Sequence, residues 1–249
     1  MSEILLSARN LTRLFGGLAA VNEVSLDLWQ GRIHAVIGPN GAGKSTLTNL
    51  LSGDLSPTTG TVTMGATDVT GWAPEKISRA GLGRSYQKTN IFQPFTVWEN
   101  VRLAAQSRRP HAGRWLSLAG RFAEINEAAA QALELSGLQD KRYAIAGAMS
   151  HGEQRQLEIA MSLATDPKVL LLDEPLAGMG TAEAERMVQL LITLKPRHAM
   201  MLVEHDMDAV FALADQLTVM LNGQVIASGD PATVRADPTV QSAYLGEEH

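Results

Sequence analysis

Residues Gly38–Thr46 read GPNGAGKST, and this stretch constrains the fold more than any other in the chain. It follows the apolar run Ile33–Ile37 (IHAVI) and opens the helical pattern LTNLLSG, so strand, glycine-rich loop and helix succeed one another. The spacing satisfies G-x-x-x-x-G-K-[ST]. Glycines let the backbone curl until successive N–H groups converge, and a helix beginning near Gly43 turns its partial positive end toward the same point. The consequence is an α/β unit whose loop cradles phosphates, which makes the chain a binder of a nucleoside triphosphate.

The surrounding sequence supplies the rest of such a unit. Ile4–Leu14 and Ala20–Leu28 read as strands, and GTVTMG around Val62 alternates like a half-exposed antiparallel strand. KVLLLDE is a continuous apolar run suited to a strand covered on both faces, which predicts a mostly parallel core sheet. LTVML and QVIAS flank Asn222-Gly223, a strong two-residue hairpin signal. From about 95 to 165 the character changes: VWENVRLAAQ and EINEAAAQALELSGL predict an inserted helical subdomain within one 249-residue domain. Its middle, SRRPHAGR, carries Arg108, Arg109, His111 and Arg114 and reads as an exposed loop with solvated charges, the alternative being a lipid-headgroup site.

Composition excludes several classes. A net charge of −5 gives no general attraction to nucleic acid, and the lack of cysteine rules out disulfides, thiolate zinc sites and thiol chemistry. MSEILLSARN lacks the layout of a secretory signal, and VLLLDEPLAG and AMMLVEHD are broken by charge well short of the roughly 18 residues a membrane span needs. A cytoplasmic location is expected, and a role at a membrane would need a partner.

Two further segments carry chemistry. The strand ending at Asp173-Glu174 offers one carboxylate for a magnesium hydration shell and another to polarise a water attacking a γ-phosphate. In AMSHGEQRQLEIAMSLA, Ser150 and Glu153 form a capping box ahead of the apolar face Leu157, Ala160, Met161 and Ala164. Capping does not require Gly152, which leaves room for a bulky anion at the positive end of the helix.

Taken together, the phosphate loop, Gln87 in GRSYQKTNIF, MSHGEQ, LLLDEP and His205 in LVEHD occur in the order and spacing of ATP-binding cassette ATPases, and the chain resembles that family over nearly its whole length. The resemblance implies a P-loop NTPase (RecA-like) core, an N-terminal antiparallel β subdomain and the inserted helical subdomain. It also implies two cassettes paired head to tail, with each ATP held between one subunit's phosphate loop and the other's signature helix. Residue by residue, Gly38, Pro39, Asn40, Gly41, Ala42 and Gly43 would wrap the phosphates, Lys44 would contact the β- and γ-phosphates, and Thr46 would lie on the α-phosphate side. Ser45, Gln87 and Asp173 would hold Mg2+, Glu174 would be the general base, and His205 would contact the γ-phosphate. Ser150, Gly152 and Glu153 would face the partner's ATP. Phe15 stands where the family stacks an aromatic ring on adenine; the alternative is a core aromatic beside a turn. Two positions depart from the pattern: His151 replaces a glycine of the signature, and Gly180 replaces an aspartate or asparagine that reaches across the dimer.

LTRLFGGLAAVNEVSLDL, RSYQKTNIFQPFTVWENV and the ending ASGDPATVRADPTVQSAYLGEEH resemble the ATPase subunit of branched-chain amino acid importers; lipopolysaccharide-export ATPases share a YLGE-type ending. The importer resemblance implies a peripheral subunit on the cytoplasmic side of the inner membrane. Its partners would be a second ATPase subunit (a paralogue or a copy), two permease subunits and, indirectly, an extracytoplasmic solute-binding protein. Thr89–Asn100 would face the permease. Soluble cassette ATPases of DNA repair, chromosomes or ribosomes carry coiled-coil insertions, cysteine zinc modules or a second linked cassette, and none is present in this sequence.

Overall fold

The computed structural model describes residues 3–86, 90–108 and 118–242, with backbone alone for 118–122. Gln87, most of the SRRPHAGR segment and the YLGE-type ending lie outside the described residues. The strands are β1 (Ile4–Phe15), β2 (Leu18–Trp29), β3 (Ile33–Ile37), β4 (Thr59–Met64), β5 (Thr67–Asp68), β6 (Leu82–Arg84), β7 (Val169–Asp173), β8 (Ala199–Val203), β9 (Gln216–Leu221) and β10 (Gln224–Gly229). The helices are α1 (Lys44–Ser52), α2 (Pro74–Arg79), α3 (Val97–Ser107), α4 (Leu118–Leu135), α5 (His151–Leu163), α6 (Thr181–Leu194), α7 (Met207–Leu213), α8 (Pro231–Arg235) and α9 (Pro238–Val240).

The chain divides into two compact units. The first takes in the chain up to Arg84, Lys168–Glu174 and the chain from Lys195; the second takes in Ser85–Pro167 and Pro175–Leu194. In the first unit, β2-β1-β4-β5 form an antiparallel sheet and β10-β9-β3-β8-β7-β6 a second sheet, parallel except for the β9–β10 hairpin. Every residue of β3, β7 and β8 is buried, as continuous apolar runs require when both faces are covered. Val36, Leu171 and Met201 join α1 and the antiparallel sheet in the main core, while Ala35 and Ile37 pack on the opposite side with Val210, Leu217 and Val219. Asn222 and Gly223 both take positive φ (49° and 79°), the geometry a tight two-residue hairpin needs.

The second unit is helical. Val97, Val101 and Ala105 of α3, Ile125, Ala129 and Leu133 of α4 and Leu157 and Ala160 of α5 are buried at helical spacing, and the three helices pack together. Thr96 and Ser150 cap α3 and α5, each completing its box with the glutamate three residues on.

One buried polar group on β3 makes the first unit sensitive to acid. His34 Nδ1 meets the Asp27 carbonyl at 3.2 Å, which can only accept, so Nδ1 carries the proton and Nε2 accepts from Thr218 at 2.7 Å. Burial holds the ring below its ordinary value of 6.5, with the Asp27 contact opposing that shift. The unfolded chain therefore takes up the proton first. This contribution to stability is full above about pH 6.5 and is lost as pH falls from there toward the folded value. Calorimetry should show Tm falling between pH 7.5 and 5.5, with a smaller fall in His34→Gln; equal slopes would contradict the assignment.

Candidate nucleotide-binding site

Sheet order builds the site. β3, β8 and β7 are neighbours and parallel, so their C-terminal ends bring together the loop after β3, the residues after β8 and the acids closing β7. The loop Gly38–Gly43 is backed on its underside. Gly223 of the hairpin donates its N–H to the Ala42 carbonyl at 3.0 Å, and Gly43 adopts φ 104° as the N-cap of α1. A Cβ there would lie 2.4 Å from the Ala20 carbonyl oxygen. The hairpin that the sequence marked only as a turn thus supports the phosphate loop.

Lys44 begins α1 and is buried, its ammonium folded over the loop it serves: Nζ donates to the Gly38 carbonyl at 2.6 Å and the Pro39 carbonyl at 3.0 Å. Burial lowers its pKa, and the carboxylates of Glu174 and Asp173 work against that shift. These contacts aim a cation and the α1 N-terminus at one place, where an anion finds both.

Asp173 ends β7 opposite Val203 and is 4% exposed. Glu174 continues the ladder by donating its N–H to the Val203 carbonyl at 2.9 Å, then takes φ 49°. That left-handed conformation, uncommon for a residue with a Cβ, turns the chain out of the sheet and leaves the carboxylate half-buried. Its Oε1 lies 2.8 Å from His205 Nε2, two residues beyond the end of the neighbouring β8. Base and histidine therefore meet because adjacent parallel strands end side by side.

Phe15 closes β1 at the hairpin into β2 and is 46% exposed, with the Arg13 guanidinium 4.8 Å from its ring centre. It is a surface ring and not a core aromatic.

Ser150, Gly152 and Glu153 lie in the second unit, at the start of α5. Ser150 accepts from the Glu153 N–H at 3.3 Å, and Glu153 accepts from the Ser150 N–H at 3.1 Å. Lys141 bonds the other Glu153 oxygen and, with the Ser150 contact, holds that carboxyl below its usual range. Gly180 has open space where a side chain would be, so packing does not require glycine there.

Sequence reasoning missed several residues that hold elements of each unit in place. Arg84, at the end of β6, is tied to the C-terminal end of α1 through Asn49 (2.7 Å) and Ser52 (2.6 Å), and to Asp54 beyond it (2.5 Å). Glu158 of α5 accepts from the N–H groups of both Tyr86 (3.0 Å) and Asn90 (3.4 Å), while Arg155 donates to the Tyr86 carbonyl at 2.5 Å. Tyr86 and Asn90 are thereby fastened to α5. Burial raises the Glu158 pKa against these contacts. A charged residue inside a helical pattern reads as solvated, and no local signal in the sequence pairs it with a backbone some 70 residues away.

A phosphate loop after a central strand, an Asp-Glu pair at the end of a nearby strand and a histidine just past the end of the strand between them define a nucleotide-hydrolysing α/β cassette. The ABC transporter family model matches residues 21–177, and a model for branched-chain amino acid ATP-binding cassette transporters matches 224–249. The high-affinity branched-chain amino acid transport ATP-binding protein LivG of Salmonella typhimurium is 40% identical over 99% of this chain and 100% of its own length. The protein of the same name from Escherichia coli K12 is 38% identical over the same shares. Among solved structures, the ADP conformation of an ATP-binding cassette of an ABC transporter superposes with a TM-score of 0.83 and 31% identity, covering 99% of this chain and 100% of that one. The chain belongs to the ABC transporter family, as the ATP-hydrolysing subunit of an importer. The export-type alternative is not favoured. Among the described residues no helix is long and apolar enough to cross a membrane.

Proposed function

We propose that this subunit powers uptake of branched-chain amino acids or a related small polar solute, docking on the cytoplasmic side of the inner membrane. It would pair with a second ATPase subunit and act on two permease subunits that an extracytoplasmic solute-binding protein loads. The observation that carries the reading is the pairing of Glu174 with His205 at 2.8 Å, in a chain similar over its full length to a branched-chain amino acid transport ATP-binding protein. Gly38–Gly43, Lys44 and Thr46 hold the ATP phosphates and Phe15 stacks on adenine. Ser150, Gly152 and Glu153, with the helical insertion of about 95–165 that carries them, present the signature to the partner's nucleotide.

Magnesium suits the chemistry of the donors in the first unit, since the Ser45 hydroxyl and the Asp173 carboxylate are hard oxygen ligands; the amide of Gln87, which lies outside the described residues, is a donor of the same kind. Among the described residues no group of three His, Cys, Asp or Glu is placed to hold a metal ion. When bound, the ion neutralises phosphate charge. Glu174 takes the proton from the attacking water, and His205 orients the Glu174 carboxylate and meets the γ-phosphate.

A face for the permease is also present in the second unit. Phe92 and Phe95 stack at 5.4 Å while 49% and 41% exposed, Ile145, which forms an isolated bridge with Thr96, is exposed, and so is Tyr143 in the turn before it. The fully buried Asn100 fixes this face by bonding both the N–H and the carbonyl of Phe92. An exposed apolar patch held this rigidly suits an amphipathic cytoplasmic helix of a permease. The test is reconstitution: Phe92→Ala with Phe95→Ala should cut solute-stimulated transport at least about tenfold, the scale of losing two aromatic contacts. ATP binding by the subunit alone should stay unchanged. Normal transport by this variant would exclude the face, and co-purification of no integral membrane protein would overturn the importer reading.

A further inference from the structure

The first turn of α5 is occupied by a carboxylate from α6. Ser150 Oγ donates to Glu183 Oε1 at 2.6 Å, and the same hydroxyl accepts from the Glu153 N–H, so its single proton is committed to Glu183. An independent feature points to the same group. Gly152 is buried, and a Cβ built on it would lie 2.8 Å from Glu183 Cδ and 3.0 Å from each carboxylate oxygen. The space left by the missing side chain is filled by an anion. Helix capping does not explain it, because Ser150 and Glu153 complete the box without Glu183. Glu183 itself lies in the first turn of α6, its N–H bonded to the Gly180 carbonyl at 2.9 Å.

We propose that Glu183 is a built-in stand-in for phosphate: it occupies the Ser150–Gly152 surface until the γ-phosphate of the partner's ATP arrives and expels it. The inference rests on the reading that Ser150 and Gly152 meet that ATP. Carboxylate and phosphate are both anions, and they cannot share one hydroxyl proton and one helix end. Pairing therefore proceeds from the fraction of molecules in which Glu183 has swung away, and the ATP concentration needed for closure rises in inverse proportion to that fraction. Glu183 guards against closure at low ATP, and its release moves the first turn of α6, next to Gly180.

The experiment uses the transporter complex purified through a tag on this chain, with Glu174→Gln so that closed pairs accumulate, and reads ATP retained through rapid gel filtration against ATP concentration. Adding Glu183→Ala should shift half-maximal retention to about tenfold lower ATP, the scale of one lost charge-assisted hydrogen bond. Glu183→Gln, which keeps the volume and an acceptor, should shift it less. In the nucleotide-free protein, hydrogen exchange at the Gly152 and Glu153 amides should quicken in both variants. An unchanged or higher ATP requirement in Glu183→Gln, while Ser150→Ala raises it, would overturn the stand-in and leave the signature reading intact. No effect of Ser150→Ala on retention would overturn the signature reading itself.

Discussion

Glu174→Gln is expected to lower steady-state ATP turnover by about 10²–10⁴-fold, the range a positioned general base supplies, while ATP affinity stays within a few-fold of the parent. The expectation follows from geometry. The amide has the shape of the carboxylate and can still accept from His205 Nε2, now 2.8 Å from Glu174 Oε1, but it cannot take a proton from water. The backbone at this position is held independently of the side chain, by the N–H bond to Val203 and by φ 49°, so the substitution leaves the turn in place. ATP should then be bound and not cleaved, and closed pairs should accumulate. Turnover and equilibrium binding measured on one preparation decide the matter: unchanged turnover removes Glu174 from the role of base, and lost binding shows a disturbed loop instead. His205→Ala should cost little stability, because its ring is 41% exposed and contributes little to packing.

Features legible in the sequence were those whose chemistry is local. GPNGAGKST names its own loop, Asn222-Gly223 its own turn, and VLLLD its own doubly covered strand, because each depends on backbone conformation or burial over a few residues. The capping box at Ser150 and Glu153 was readable for the same reason. The partners that complete these features were not legible. Glu183 bonds Ser150 from 33 residues away, Arg84 reaches Asn49 across 35, and Glu158 reaches Tyr86 across 72. In the sequence each of these charges, two on helices and one at the end of a strand, looks like an ordinary solvated residue, and only the fold makes it a contact. Phe15 was undecided for a related reason: an aromatic beside two glycines suits a core or a surface, and the two-residue hairpin between β1 and β2 sends it outward.

The other large effect lies in the loop itself. Gly43→Ala should destabilise the protein by about 2–5 kcal/mol, combining backbone strain with overpacking, and should abolish measurable nucleotide binding. Both costs are visible at one atom. The native φ of 104° lies outside the regions that a residue with a Cβ adopts, and the added methyl would sit 2.4 Å from the Ala20 carbonyl, a backbone atom of β2 that cannot turn aside. Relief would require moving Gly43 away from β2, which drags the N-terminus of α1 and the Lys44 ammonium off the point where the loop's N–H groups converge. The control is Gly41→Ala. That residue also has positive φ, 81°, but a Cβ there meets nothing within 4 Å, so its cost is conformational only, about 1 kcal/mol. Urea denaturation should therefore rank the parent above Gly41→Ala and both well above Gly43→Ala, while fluorescent-nucleotide titration should register binding in the first two alone. Equal midpoints for the two variants would mean that β2 does not brace the loop, and that the phosphate cradle is held by the β9–β10 hairpin through the Gly223 to Ala42 bond.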